Sequence, residues 1–494
     1  MSQERTVPQL EGGSGTGLGK RTLGVPALVF MIIAASAPLT VVAGGTTSNF
    51  AVTEVLGIPL SFIVLGVCLA LFTVGYAAMS AHITNAGAFY AYIAQGLGRA
   101  AGVGAAWVAL VSYNAMQVGI YGLFGFASAS FVSAKLGVDV PWWATALVGF
   151  LAVGWLGVRK VDLSAKVIAI LVGLEFVAVL VFDIIAIAVA PEGISGASMD
   201  PANLFTAGVG AALAFSIAAF MGFESAAIYS EEAKDPKRSI ARATYIAVAV
   251  ISLFYAFSGW ATATATGHSQ IIAKSQELGP DLIFVFLTEH GGMVLADIAQ
   301  VLFVTSLFAA LMAFHNAVAR YVFSLSREGV LPRRLAYVNP ESFAPVAGSL
   351  SQSLLALVML TVFAIAGIGS ELGALYPVLT FFTWLTNTGA FGLVLLLVLI
   401  SAAVIGYFRK HGEGYSLWVK LIAPTMAVIT LGAVFILIVA NFNVLIGSEG
   451  SSTLSWLLPA IAVLPGVAGL CWGLYLRSAR PEVYAGIGHG GTDS

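Results

Sequence analysis

Charge, cysteine and histidine are all scarce in this sequence. Only 9% of its 494 residues are charged, whereas 59% are hydrophobic. The two cysteines, Cys68 and Cys471, both fall inside apolar segments, which argues against a disulfide framework. No two of the six histidines are spaced as a pair of metal ligands, so we expect no metal site, no cofactor and no catalytic centre.

The sequence does contain many apolar runs of about 20 residues, the length that crosses a bilayer. We therefore predict an all-α, multi-pass protein of the cell membrane, surrounded by lipid, without a nucleic-acid partner, and either a monomer or a weak homodimer. The first run, from about Val25, lacks the cleavage pattern of a signal peptide and should remain as a span. Twelve spans are predicted, near 25–45, 59–80, 102–132, 141–158, 166–189, 207–229, 242–265, 292–320, 347–368, 374–408, 418–440 and 453–477.

The basic residues predict how these spans are oriented. Near the twelve spans, all lysines and arginines except Lys135 and Lys274 fall on one face. Because basic residues are retained on the cytoplasmic side, both termini are predicted to be cytoplasmic. The opposite, outer face carries many acids, and Asp183 is assigned to it. Of the longer connections, 82–98 is predicted as an interfacial helix with aromatic residues at headgroup level, and 268–289 as a short outer helix.

Two spans are interrupted near their middles. Pro38 lies just after Ser36 in the first span, where it removes a backbone donor and predicts a kink or an unwound turn. Gly222 is the weak point of the sixth span, and Glu224 follows it at membrane depth. Either interruption alone is typical of packing. Their matching positions, five helices apart, predict an inverted repeat of five plus five helices with a binding site between the broken halves.

Three stretches resemble a known family. They run from Asn85 to Tyr92, from Gly222 to Arg238 and from Ala313 to Pro332. In this order they are similar to permeases of the amino acid-polyamine-organocation superfamily, which implies a leucine-transporter-like core with broken helices 1 and 6. The predicted divisions are a disordered cytoplasmic tail (1–22), a ten-helix transport core (23–409) of two inverted repeats (about 23–190 and 205–409), peripheral helices 11 and 12 (410–478) and a second cytoplasmic tail (479–494).

The resemblance assigns substrate-binding candidates at the two breaks. Ala35, Ser36 and Ala37 occupy the place of the family's Gly-Ser-Gly break, where backbone amides meet the substrate carboxylate. The methyl groups of Ala35 and Ala37 narrow the space beside these amides, which favours a small substrate or one without a carboxylate. Gly222 and Glu224 are the candidates on the sixth span.

Aromatic and amide side chains supply further candidates. The aromatic gate that the family often carries one turn before the glycine of the sixth span is absent here, so Phe215 or Phe220 either replaces it or only packs. Asn114 and Gln117 on the third span and Asn387 on the tenth are expected either to line the cavity or to bond to neighbouring helices.

Glu175 is the candidate for ion coupling. A rise of 1.5 Å per residue puts it about 13 Å beyond Lys166, near mid-membrane, where desolvation favours a neutral carboxyl. Many proton-coupled or sodium-independent relatives carry a lysine at this position. Thr305 and Ser306 match the family positions that face it. Glu175 is therefore expected either to carry a proton, to help hold sodium with Thr305 and Ser306, or to tie helices together as a permanently protonated group.

These observations predict a secondary active transporter of amino acids or related small amines, working by alternating access and coupled to protons. The alternative is an importer or exchanger of polyamines or organic amines. A channel is disfavoured because the polar groups converge near the middle of the membrane and do not form a continuous stripe.

Overall fold

A computed structural model describes residues 23–83, 89–159, 165–223, 233–342, 344–447 and 452–489. Every regular element in these ranges is helical, apart from one isolated parallel β-bridge between Leu23 and Ala233. The α-helices are α1 (Val25–Ser36), α2 (Thr47–Thr53), α3 (Ile58–Ser80), α4 (Phe89–Leu97), α5 (Arg99–Leu136), α6 (Trp142–Arg159), α7 (Ala165–Val189), α8 (Pro201–Leu204), α9 (Val209–Ala218), α10 (Pro236–Thr266), α11 (Ile271–Leu278), α12 (Leu282–His290), α13 (Met293–Arg327), α14 (Val346–Ala366), α15 (Thr383–His411), α16 (Ala423–Ala440), α17 (Phe442–Leu445), α18 (Thr453–Ala479) and α19 (Pro481–Gly486).

Eleven helical stretches in the described ranges are long and apolar enough to cross a membrane. The predicted sixth span appears as α9, which has 10 residues and ends at Ala218. The rest of that span runs into residues 224–232, which lie outside the described ranges together with Glu224. The membrane-spanning helical class is thus confirmed, whereas the count of twelve and the division into two repeats stay predictions.

The helix α5 forms the centre of the fold. It has 38 residues and packs against α18, α15, α13 and α6. Small residues bring the backbones together: a Cβ built on Gly473 would lie 2.7 Å from Ala100 Cα, and one built on Gly104 would lie 2.8 Å from the Gly466 carbonyl oxygen. Lipid tails are as apolar as the helices, so no hydrophobic driving force holds the helices together in a membrane. Close packing between backbones stabilises their association instead.

The interfacial helix predicted over 82–98 was expected to place its aromatic residues at headgroup level, and this placement is wrong. A helix is present as α4, but it packs between α5 and α15, and its aromatic rings Phe89, Tyr90 and Tyr92 are buried. Tyr92 lies against Tyr76, with ring centroids 5.1 Å apart. Sequence could not distinguish the two cases, because a headgroup belt and a buried ring cluster have the same composition.

The outer connection over 268–289 contains two helices, α11 and α12, and is tied to the spans by polar contacts. Gln276 Nε2 donates to Glu54 Oε1 at 2.9 Å, beside the end of α2. The hydroxyl and the backbone N–H of Ser269 both donate to the carboxylate of Glu192, which holds the pKa of this exposed group below its ordinary value. These contacts hold α11 and α12 over the ends of the first and fifth spans.

The C-terminal segment is attached to the opposite side of the molecule. After α19, Ile487 is only 1% exposed, and the N–H of Gly488 donates to Glu328 Oε2 at 3.0 Å. Gln95 Nε2 on α4 donates to the Gly488 carbonyl at 3.4 Å. The predicted tail over 479–494 is therefore packed against the helical body as far as residue 489.

One acid assigned to the outer face lies inside the protein, which corrects the sequence analysis. Asp183 is on α7, six residues before its end, and is 0% exposed. Ser258 Oγ on α10 donates to its Oδ2 at 2.8 Å. The charge pattern alone could not show this, because helix rotation decides whether a residue near a span end faces water or a neighbouring helix.

Candidate functional site

The first break begins where α1 ends at Ser36. Ala37 has φ 51° and ψ 80°, a left-handed conformation that stops the helix. Pro38 offers no N–H to the carbonyl of Ala34, and the N–H of Leu39 donates instead to Glu175 Oε2 at 3.3 Å. The carbonyls just before the break thus lose their usual helical donors, which leaves acceptors suited to an amine. The predicted interruption of the first span is confirmed.

The second break follows α9 as a run of tight turns. Phe220 N–H donates to Ile217 O and Met221 N–H to Ala218 O, each at 3.0 Å. Gly222 then has φ 103°, a conformation that side chains disfavour. The predicted interruption of the sixth span is confirmed.

The two breaks contact each other directly. A Cβ built on Gly222 would lie 2.7 Å from Ala35 Cβ. The hydroxyl of Ser36 donates to the carbonyl of Ala219 at 2.8 Å, which places the Tyr255 hydroxyl as the donor to Ser36 Oγ at 2.5 Å. Just before α1, Leu23 O accepts a hydrogen bond from Lys234 N–H at 2.9 Å.

A cavity of about 50 Å³, with room for a few water molecules, lies at this junction. Its walls come from the two breaks and from α2, α3, α5, α13 and α15. No lining side chain within the described ranges carries a charge. The lining residues are Ala35, Ser36, Ala37, Thr40, Val41, Gly45, Asn49, Phe62, Met116, Ile120, Phe215, Ala218, Ala219, Ala310, Phe314, Phe382 and Thr386.

The structure brings some of the predicted substrate residues together. Ala35, Ser36, Ala37 and Phe215 line the cavity, and Gly222 touches the first of them. The backbone N–H of Ala37 donates to Ile33 O at 2.9 Å. This amide is therefore occupied and does not offer a site for a substrate carboxylate in this conformation.

Four other predicted residues lie outside the cavity wall. Phe220 is buried behind it, with its ring centroid 6.4 Å from that of Phe62. Asn114 Nδ2 donates to the carbonyl of Leu110 on its own helix, and Asn387 Nδ2 does the same to Thr383 O. Gln117 belongs to a separate polar cluster. Their role in substrate binding stays a prediction that this conformation does not support.

Gln117 joins a buried cluster with His315, Ser349 and Gln352 behind the cavity. Gln117 Nε2 lies 3.3 Å from His315 Nδ1, and His315 Nε2 lies 2.7 Å from Ser349 Oγ. Gln352 Nε2 donates to Gln117 Oε1. If the Gln117 amide donates to Nδ1, the proton on the neutral imidazole sits on Nε2 and points to Ser349. This cluster joins α5, α13 and α14, so Gln117 acts between helices.

Glu175 lies at the centre of a second polar cluster. It is 3% exposed, and Ser306 Oγ donates to its Oε2 at 2.7 Å. Thr40 Oγ1 donates to Ser306 Oγ at 3.1 Å. Because Thr40 lines the cavity, a chain of two hydroxyls connects the cavity with the carboxyl group. Thr305 faces elsewhere and donates to Leu302 O on its own helix.

Two donors converge on one oxygen of Glu175. The Leu39 N–H and the Ser306 hydroxyl both donate to Oε2. The N–H has no lone pair to offer a cation, whereas the hydroxyl oxygen has. Among the described residues there is no group of three or more His, Cys, Asp and Glu side chains placed to hold a metal.

Several lining residues were missed by the sequence analysis. Asn49 ends the polar run 46–49, and its Nδ2 donates to Ala212 O and Ser216 Oγ, both at 3.2 Å. Four successive polar residues after an apolar run were the signal for this position. Thr386, which also lines the cavity, directly precedes the predicted candidate Asn387. The lining residues Phe62 and Phe314 have no distinguishing pattern in an apolar sequence.

Comparison with known proteins identifies the family. Residues 23–467 match the sequence family described as amino acid permease. The chain belongs to the amino acid permease family. This agrees with the resemblance seen in the sequence.

Two relatives of this permease come from Bacillus subtilis (strain 168). The branched-chain amino acid permease BcaP is 26% identical over 389 residues, covering 74% of this chain and 77% of the relative. The methylthioribose transporter is 24% identical over 397 residues, covering 76% and 78%. The permease is thus similar over most of its length to transporters with different named substrates.

A solved structure shows the same fold. The manganese transporter of Eremococcus coleocola, in complex with an aromatic bis-isothiourea substituted compound, has a TM-score of 0.52 at 18% sequence identity. The alignment covers 94% of this chain and 98% of the other. The predicted leucine-transporter-like fold class is confirmed at this level, which concerns the fold alone.

Proposed function

We propose that this permease is a secondary active transporter that carries small neutral amino acids across the cell membrane by alternating access. The observation that carries the proposal is the position and lining of the cavity, which lies where both broken helices meet. Its wall contains no charged side chain within the described ranges. A charged side chain on the solute would find no oppositely charged partner there, at a cost of several kcal/mol.

The lining favours an amine on one side of the solute and an apolar side chain on the other. The carbonyls freed at the first break are acceptors for an ammonium group. The opposite wall has Met116, Ile120, Phe215 and Phe314, which suit an aliphatic side chain. The name of the similar BcaP permease points to the same class. Among the described residues, the wall offers a polyamine no carboxylate for its second amine.

The direct test is uptake by the purified protein in liposomes. Counterflow of radiolabelled leucine is expected to saturate, and valine and isoleucine should compete, whereas putrescine and methylthioribose should not. A conductance that does not saturate would indicate a channel. Competition by putrescine alone would favour the polyamine alternative, and competition by methylthioribose alone would remove the requirement for an amine.

Proton coupling through Glu175 is the second part of the proposal. The hydroxyl chain Thr40–Ser306 gives a proton a route between cavity and carboxyl, and the Leu39 N–H at the carboxyl has no lone pair to offer sodium. Symport and exchange both fit this arrangement.

Glu175→Gln tests the coupling because it keeps the shape and removes the titration. A proton gradient directed into the liposomes should drive accumulation of leucine in the parent and not in the variant. Counterflow, which needs no net proton movement, should persist in both. Accumulation that depends on sodium in the parent, or an unaltered pH response in the variant, would contradict proton transfer through Glu175.

The proposed topology has both termini in the cytoplasm. It rests on the charge distribution across the spans. Single cysteines at Glu192 and Arg409, introduced after Cys68 and Cys471 are replaced by alanine, should be labelled from opposite sides of the membrane. Labelling of both from one side would overturn the topology.

A further inference from the structure

Asp183 is a second carboxyl buried inside the membrane-spanning part of α7. It is 0% exposed and accepts one hydrogen bond, from Ser258 Oγ to its Oδ2. Its Oδ1 is buried without a hydrogen-bond partner among the described residues. A carboxyl at this depth is costly and is normally kept for a function, with a partner or a water-filled path near it.

The position of Asp183 relates it to Glu175. The two lie on the same helix, eight residues apart, so that Asp183 is about 12 Å nearer the predicted outer side. Ser258, the partner of Asp183, lies three residues after Tyr255 on α10, and Tyr255 contacts Ser36 in the first break. Asp183 is therefore bonded to α10, Glu175 is bonded to the interrupted first span, and Tyr255 of α10 links those two elements.

A small apolar cavity lies beside the stretch of α7 between the two residues, where Ala178, Val179 and Phe182 line it. On one side it is lined by Leu39, whose N–H donates to Glu175, and on the other by Phe182, the neighbour of Asp183. It has no room for a water molecule in this conformation. Its outer wall is formed by Ile283 and Leu287 of α12, one of the two helices above the spans.

We propose that Asp183 is the outer station of a proton path to Glu175, closed in this conformation by the apolar side chains that line the cavity along α7. When α12 moves away and water reaches Asp183, a proton from outer water would bind the Asp183 carboxylate. As water then enters the cavity, the proton would pass through water to the Glu175 carboxylate and leave Asp183 as a carboxylate. Only O–H bonds form and break. The inference rests on the proton coupling proposed above.

Few other titratable groups compete for this role. On α10, Tyr255 faces the first break, and Ser258 is the only hydroxyl recorded as donating to Asp183 within the described ranges. On α12, Glu289 and His290 lie at the exposed end. Asp281, at the start of α12, accepts a hydrogen bond from Ser130 Oγ at 3.0 Å. On α13, the acid before His315 is Asp297, which is paired with Lys135 at the outer surface. The interrupted first span offers hydroxyl groups and no titratable side chain between Val25 and Thr53.

The test compares Asp183→Asn with Glu175→Gln in liposomes that contain a pH-sensitive dye. Leucine uptake driven by an inward pH gradient, and the proton entry that accompanies it, should fall in Asp183→Asn to the level of Glu175→Gln. Leucine counterflow should be retained in both variants. Glu371→Gln, which changes an exposed acid predicted to lie on the same outer side, is the matched control and should resemble the parent.

The outcomes separate this inference from the proposed coupling. If Glu175→Gln loses proton-driven uptake while Asp183→Asn keeps it, the path does not pass through Asp183 and the coupling stands. If the parent shows no proton-driven uptake, the coupling itself fails. If Asp183→Asn loses counterflow as well, its role is structural and the inference is overturned. Ser258→Ala, which keeps the carboxyl, should retain counterflow and shift the outer pH of half-maximal uptake; an unshifted profile would contradict the path.

Discussion

The two helix breaks have matching positions but are built in different ways. The first is held by polar groups from other helices: Glu175 accepts the N–H of Leu39, and Tyr255 contacts Ser36. The second depends on the absence of a side chain, because Gly222 has a positive φ and lies against Ala35. The first break is therefore connected to groups that can titrate, whereas the second is a steric feature.

This difference predicts different roles for the two breaks in transport. Changes in the hydrogen bonds around the first break can be passed to the cavity through Thr40, which bonds to Ser306 and lines the wall. The second break has to accommodate the first at close range, so it tolerates little added volume. The variants below are arranged from the largest expected effect to the smallest.

Gly222→Val should nearly abolish uptake. A branched side chain at φ 103° is strained by roughly 1–3 kcal/mol, and its Cβ would meet Ala35 Cβ at 2.7 Å. A loss of about tenfold to a hundredfold in leucine counterflow follows, at about 1.4 kcal/mol per factor of ten.

Gly432→Val is the control for this change, because a Cβ built on Gly432 in α16 has no neighbour within 4 Å. Both variants should insert and purify as the parent does, as judged by gel filtration in detergent. Normal counterflow in Gly222→Val would show that the close contact between the breaks is not needed for transport.

Ser306→Ala should weaken proton-driven uptake by about tenfold. It removes a donor to a buried carboxyl, and hydrogen bonds to charged groups are worth about 1.5–3 kcal/mol. Thr305→Ala is the neighbouring control: its hydroxyl bonds to its own helix, and uptake should stay within about twofold of the parent. Equal losses in the two variants would mean that the bond to Glu175 does not matter.

Tyr255→Phe should lower uptake by roughly two- to tenfold, since one neutral hydrogen bond contributes about 0.5–1.5 kcal/mol. The affinity for leucine is expected to change, because Ser36 lines the cavity. Tyr245→Phe removes a hydroxyl from the same helix at a residue that is 41% exposed, and it should resemble the parent. A parent-like leucine affinity in Tyr255→Phe would argue against a role for Ser36 in binding.

Pro38→Ala should have the smallest effect, less than about twofold in counterflow. The break persists without proline, because Ala37 stays left-handed and Glu175 still accepts the N–H of Leu39. The double variant Pro38→Ala with Glu175→Gln, which weakens both constraints, should lose more counterflow than the two single changes combined. A severe loss in Pro38→Ala alone would show that proline, and not the carboxyl, maintains the first break.

The sequence by itself determined the elements of this protein. Apolar runs of bilayer length predicted the eleven long helices of the described ranges, although the first predicted span extends to Thr53 and the eighth to Arg327, beyond the expected ends at 45 and 320. The runs are visible because each helix in lipid satisfies its own backbone hydrogen bonds. Pro38 and Gly222 predicted the positions of the two breaks, because each residue disturbs its own helix locally. Glu175 stood out because a lone carboxyl at mid-membrane is conspicuous in a chain with so little charge.

The tertiary structure decided which of these residues meet. The rotation of α13 about its axis brings the Ser306 hydroxyl to the Glu175 carboxyl, whereas Thr305, the residue before it, bonds to its own helix. The rotations of α5 and α7 likewise take Gln117 out of the cavity wall and bury Asp183 against Ser258. In a chain whose helices are apolar on every side, the sequence has no strong amphipathic pattern to fix that rotation, and only the packing of neighbouring helices supplies it.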